Sequence, residues 1–117
     1  MYPLISKWFI CPGKEAQVIP ALKQLALNVK HNEPGTLVYL VHTPDFTQSN
    51  LPTSTVGEVV FFEIYKDKAA FQDHLNGADF KNFVSQYGSL FVSAHGAPYT
   101  TLEVMHHQAG FIRSAIG

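Results

Sequence analysis

Cysteine is almost missing from the chain. Cys11 stands alone among 117 residues, so neither an internal disulfide nor a structural cysteine zinc site can form, and a reducing compartment is expected. Charge is sparse as well. Asp, Glu, Lys and Arg make up only 15%, and eight basic against nine acidic side chains leave a formal charge of -1. This supplies no basic footprint for nucleic acid or an anionic membrane surface. Apolar runs stay short: Val59 to Phe62 is strand-sized, far from the roughly 20 residues that cross a bilayer. Met1 to Ile10 is interrupted by Pro3, Ser6 and Lys7 and has no basic start of a leader peptide. A soluble, cytoplasmic protein is therefore expected. Phosphate-cradling glycine loops, nucleophile elbows and carboxylate dyads do not occur. His106 and His107 are adjacent, so on a strand they point to opposite faces, and no cysteine or carboxylate spacing completes a site with them, His95 or His31. No metal, flavin or haem is expected.

Apolar substance is plentiful. A hydrophobic fraction of 46% with 13% aromatics gives enough burial to offset the ordering of the backbone, and the length suits one domain. Leu4 to Cys11 is β-prone and stops at Pro12-Gly13. Val18, Leu22, Leu25 and Val29 follow at helical spacing, with Pro20 inside the run predicting a kinked or irregular start. Asn32-Glu33-Pro34-Gly35 ends that helix. Thr36 to His42 and Glu58 to Tyr65 read as strands apolar on both faces, the pattern of strands covered on both sides.

Between these strands, Thr43 to Gly57 is too long for simple hairpin closure, and a cover over one end of the fold is expected of it. Asp67 is placed as the N-cap of a short helix through Leu75, broken by Asn76-Gly77. Phe80, Phe83, Val84 and Tyr87 then repeat at helical spacing, and Pro98 to His107 is the fourth strand candidate. The order strand, helix, strand, strand, helix, strand is the α+β, ferredoxin-like βαββαβ arrangement with a four-stranded antiparallel sheet. With helices on one face, the apolar second face calls for a partner, and a homodimer with stacked sheets is expected.

The stretch Glu33-Pro34-Gly35-Thr36-Leu37-Val38-Tyr39, the stretch Phe62-Glu63-Ile64-Tyr65 continuing to Phe71-Gln72-Asp73-His74-Leu75, and Phe80 resemble the antibiotic biosynthesis monooxygenase family of dimeric α+β barrels. The resemblance implies a family domain over residues 1–107, with residues 108–117 as a tail packing on the partner subunit. It also implies several chemistries, among them cofactor-free oxygenation of quinols and anthrones, haem degradation and isomerisation of small phosphorylated sugars. Against the anthrone-oxidising branch, Tyr65 replaces a Trp, Phe61 an Asn and Phe71 a Tyr, which makes the implied pocket more apolar. Against the haem-degrading branch, Ser6, His74 and Val84 replace an Asn, a Trp and the iron-binding His, so that activity is not implied.

Several residues carry chemistry on their own account. His74 follows Phe71 by three residues, so its ring faces the sheet, where a neutral imidazole can take a proton from a bound phenol. A core-edge histidine is the plain alternative. Phe61, Glu63 and Tyr65 alternate onto one face, and a carboxylate in so apolar a strand needs a partner, Tyr65 or a histidine. Trp8 shares its strand face with Leu4, Ser6 and Ile10 and either stacks on a flat ligand or fills the core. The reading is a cofactor-independent monooxygenase acting with O2 on a small electron-rich aromatic, a quinol or polyphenol. His74 is its base and Tyr65 its hydrogen-bond donor, with Ser6, Trp8, Phe61, Glu63, Phe71 and Val84 around the substrate. A non-catalytic small-molecule-binding or stress-associated dimer using the same pocket is the alternative.

Overall fold

The computed structural model describes residues 1–52 and 54–113. The chain runs β1 (Tyr2–Phe9), α1 (Glu15–Asn32), β2 (Thr36–His42), β3 (Glu58–Tyr65), α2 (Lys68–Asn76), α3 (Ala78–Tyr87), a 3-10 turn (Gly88–Leu90) and β4 (Tyr99–Val104). The strands form one sheet in the order β2-β3-β1-β4, every neighbouring pair antiparallel. This is the ferredoxin-like α+β fold, with β2 and β4 at its edges.

Alternation on the two central strands decides which side chains meet the helices. Leu4, Ser6 and Trp8 on β1, with Ile10 just beyond, and Val59, Phe61, Glu63 and Tyr65 on β3 are all buried. α1 covers Trp8, Ile10, Val59 and Phe61 with Val18, Ala21, Leu22, Leu25 and Val29, the face its spacing marks out, while Phe71 of α2 packs on Leu4 and Tyr65. α1 also runs unbroken through Pro20, contrary to the expected irregularity. The one lost donor would have served the carbonyl of Ala16, a residue on the exposed first turn, where solvent can reach it.

Other boundaries move for reasons of pairing. β1 begins at Tyr2, opposite Tyr65, and ends at Phe9 instead of Cys11. Ile10 leaves the ladder to donate its N–H to the Gly57 carbonyl at 2.8 Å, and Cys11 donates to Leu90 at 2.8 Å. β4 is shorter than Pro98 to His107: it starts at Tyr99, and its last contact with β1 is Met105 N–H to the Pro3 carbonyl, 2.9 Å. Asp67 caps α2 as expected, accepting the Ala70 N–H at 2.9 Å.

The helices cover only one face of the sheet. On the other, Leu40 is 48% and Phe62 46% exposed, and alternation places Ile5, Phe9, Val38, Val60 and Ile64 beside them. The expectation that β2 and β3 are covered on both sides is thus not met within one chain. In the long β2–β3 connection Phe46, Leu51 and Val56 are exposed; Thr53, which belongs to the expected cover, lies outside the described residues, as do 114–117 of the expected tail. Among the described residues no helix is long and apolar enough to cross a membrane.

The turn from α1 into β2 fits tightly on α2. A Cβ on Gly35 would fall 2.8 Å from the Cβ of Ala70, while the Gly35 carbonyl accepts the Lys66 N–H at 2.8 Å and holds the turn in place. Gly35→Ala is expected to cost about 1–3 kcal/mol through overpacking. A lowered urea midpoint with an unchanged slope is the result to look for.

Candidate functional site

The chemistry sits where β3, α2 and the α1–β2 turn converge. β3 lays Phe61, Glu63 and Tyr65 under the helices, and Tyr65 donates its hydroxyl hydrogen to Glu63 Oε1. α2 supplies His74, only 2% exposed, from the same face as Phe71. Glu33, directly after α1, meets His74 from the other side: its Oε1 lies 2.7 Å from Nδ1. A carboxylate at Nδ1 requires that nitrogen to carry the hydrogen, which leaves Nε2 with its lone pair directed away from Glu33. Nε2 is 4.0 Å from Glu63 Oε1, too far for a hydrogen bond. The four side chains therefore form a row, Glu33, His74, Glu63, Tyr65, with a gap between the second and third.

That gap belongs to a small cavity of about 10 Å³, room for about one water molecule. The structure brings Ser6, Trp8, Phe61, Glu63, Phe71 and His74 to its wall, and Tyr65 reaches it through Glu63. Val84 stands apart, packed into the neighbouring aromatic cluster around Trp8 and Phe83. Five wall residues were not placed at the site from the sequence: Tyr39, Leu75, Phe80, Tyr99 and Leu102. Alternation on β2 placed Tyr39 with Val41 under the helices, so that signal was available. Glu33 was read only as part of a turn, and nothing in its local sequence pointed across 41 residues to His74. Around the imidazole the Tyr39, Tyr65 and Phe80 rings lie with centroids at 5.4, 5.6 and 5.1 Å.

Trp8 is anchored at its polar edge. Its Nε1–H donates to Ser6 Oγ at 2.8 Å, and Ser6 Oγ donates to the Thr101 carbonyl at 3.0 Å, so the indole presents only apolar surface to the cavity.

Burial governs the acidities. It pushes Glu63 up from 4.5 to about 7, opposed by the Tyr65 hydrogen bond and helped by the negative charge of Glu33. Burial, then the charge of Glu63 and the bond to it, holds the Tyr65 phenol far above its ordinary value. Burial followed by Glu63 and Glu33 does the same to Tyr39. Both phenols stay protonated at neutral pH, while Glu63 is poised between carboxyl and carboxylate. The site thus offers one imidazole lone pair, one carboxyl that gains or loses a proton near neutrality, and aromatic walls. Among the described residues no group of three or more His, Cys, Asp or Glu is placed to hold a metal.

A family model of antibiotic biosynthesis monooxygenases covers residues 1–86. The chain belongs to that family. The antibiotic biosynthesis monooxygenase segment takes in β1 through nearly all of α3, and with it every member of the Glu33–His74–Glu63–Tyr65 row. Solved structures share the fold. One described as an antibiotic biosynthesis monooxygenase superimposes with a TM-score of 0.73 at 23% identity, covering 93% of this chain and 100% of the other. Rv0793 from Mycobacterium tuberculosis gives 0.71 at 17% identity over 93% and 96%. A Caulobacter crescentus protein carrying the same family name gives 0.74 at 23% over 92% and 90%. Among curated proteins none aligns significantly with the sequence.

Proposed function

We propose that this antibiotic biosynthesis monooxygenase family member oxidises a small electron-rich aromatic, a quinol or polyphenol, with O2 and without a cofactor. The observation that supports this is the buried imidazole whose Nε2 faces an aromatic-walled cavity while Nδ1 is held by Glu33. Triplet oxygen reacts slowly with closed-shell molecules, so the substrate must first become an anion able to give up an electron. Nε2 of His74 takes the phenolic proton. The anion passes one electron to O2, the two radicals combine into a carbon-bound peroxide, and the peroxide loses water to leave a new carbonyl. One oxygen atom stays in the product and the other departs in water. Glu63 donates to the developing oxyanion from its protonated form. Tyr65, whose hydroxyl is already engaged with Glu63, holds that carboxyl in place. Ser6, Trp8, Phe61 and Phe71 shape the pocket around the substrate ring.

A ring needs far more room than about 10 Å³. Tyr39 and Phe80 must swing aside to admit one, and Tyr39 also lines an open groove of about 720 Å³ between α1 and β2. The small size of the cavity is also what favours a second reading, a non-catalytic small-molecule-binding or stress-associated dimer. Oxygen uptake with a panel of quinols separates the two: uptake dependent on the protein and lost in His74→Ala is expected, and no uptake with any quinol leaves only the binding reading.

The proposed assembly is a homodimer of two domains of residues 1–107 stacked through the face bearing Phe62 and Leu40, with tail residues 108–117 packing on the partner subunit. The exposure of that apolar face in the single chain supports it. Light scattering is expected to give twice the 13.0 kDa chain mass; a stable monomer at micromolar concentration overturns it.

A further inference from the structure

His74 has almost no direct access to solvent. At 2% exposure its Nε2 faces the small cavity and its Nδ1 faces Glu33. Glu33 is different. Its side chain, 14% exposed, lines two surface grooves, one of about 400 Å³ beside Asp73 and Asp79 and one of about 720 Å³ between α1 and β2. His74 lines neither. Of the two carboxylate oxygens, Oε1 takes His74 Nδ1 and, at 3.4 Å, the Thr36 hydroxyl. Oε2 is buried and accepts no hydrogen bond among the described residues. A carboxylate oxygen removed from water without a donor is costly, so nothing in the fold ties this oxygen to a purely structural bond.

We propose that Glu33 is a proton relay joining His74 to solvent. It acts through the imidazole and does not touch substrate, and the proposal rests on the reading of His74 as the base. When Nε2 takes a proton, the imidazolium releases the Nδ1 proton to Glu33, which passes it to water in the adjoining groove. The ring is then neutral with its hydrogen on Nε2. When the peroxide collapses, Nε2 gives that hydrogen to the departing oxygen, and Nδ1 is protonated again through Glu33. Each cycle returns the starting tautomer, with no net gain or loss of protons at the site.

The exchange of the His74 Nδ1 hydrogen with water, followed by NMR on the intact, substrate-free protein, tests this without any turnover. Glu33→Gln keeps an oxygen to accept the Nδ1 hydrogen but cannot take a proton. The expected result is an unchanged His74 tautomer by ¹⁵N shifts, with exchange slowed at least about a hundredfold, the lower range of acid–base assistance. Unchanged exchange overturns the relay, and so does an altered tautomer, which would mark Glu33 as a merely structural partner. If Glu33→Gln fails to fold, Glu33→Ala with added formate provides the second arm. Formate restoring exchange, where chloride does not, supports the relay, and no restoration overturns it. Fast wild-type exchange without oxygen uptake on any quinol would overturn the oxygenase reading alone.

Discussion

Replacing Glu63 by glutamine is expected to remove most of the pH dependence of stability between pH 4.5 and 7 and to leave the protein more stable than wild type above that window. The carboxyl keeps its proton up to about pH 7 in the folded chain, against 4.5 for an ordinary glutamate. Between these values the native state binds more protons than the unfolded state, so raising the pH favours unfolding. The stability contributed by a neutral Glu63 is complete below 4.5 and is lost as pH rises through about 7. At about 1.4 kcal/mol per pH unit the full loss is on the order of 3 kcal/mol. Glutamine stays neutral throughout and still offers Tyr65 an oxygen to bond. Urea unfolding of both proteins at pH 4.5, 6 and 8 reads the difference, with the other titrating groups cancelling in the comparison. A Glu63→Gln protein less stable than wild type at pH 8 would mean that the ionised carboxylate is satisfied in place, and the account of its burial given above would fail.

Trp8→Ala is expected to cost about 3–5 kcal/mol, the range for emptying a large aromatic from a packed core, against a total of about 5–15 kcal/mol for domains of this kind. The indole is the hub of the larger core. Phe61, Phe83, Phe91 and Tyr99 lie with ring centroids at 5.4, 6.1, 4.9 and 5.7 Å from it, and Phe80 meets it edge-on at 6.3 Å. These partners come from β3, α3, β4 and the segment before β4, so no single neighbour can collapse into the void. Removing the side chain also takes the hydrogen-bond donor from Ser6 Oγ. Trp8 is the sole tryptophan, so unfolding must be followed by far-UV circular dichroism. Trp8→Phe, which retains the ring packing and loses the Nε1–H, is expected to fall between the two. Equal stability of wild type and Trp8→Ala would show that the aromatic cluster is not what holds β1 to the helices.

Local pattern made most of the elements legible. The α1 stripe from Val18 to Val29, the alternation of Phe61, Glu63 and Tyr65, and the Asp67 cap each depend on neighbours within a few residues, and each stands where the pattern puts it. The Tyr65 to Glu63 bond belongs to the same class, since residues two apart on a strand share a face. Strand ends were not legible. β1 stops where Ile10 turns to Gly57, and β4 stops just before Met105 bonds the Pro3 carbonyl; both depend on a partner distant in sequence.

The amino-acid order alone thus settled which segments are helix or strand, their sequence as βαββαβ, and the side of each on which apolar residues gather, because period and propensity act over a turn or two of chain. Two things were decided only by tertiary structure: that Glu33 meets His74, and that the gap between His74 and Glu63 narrows to about 10 Å³. Each rests on how closely the turn at Gly35 seats against Ala70 on α2 and how fully the helices cover the sheet. Those are matters of packing between segments far apart in sequence, on which no local pattern reports.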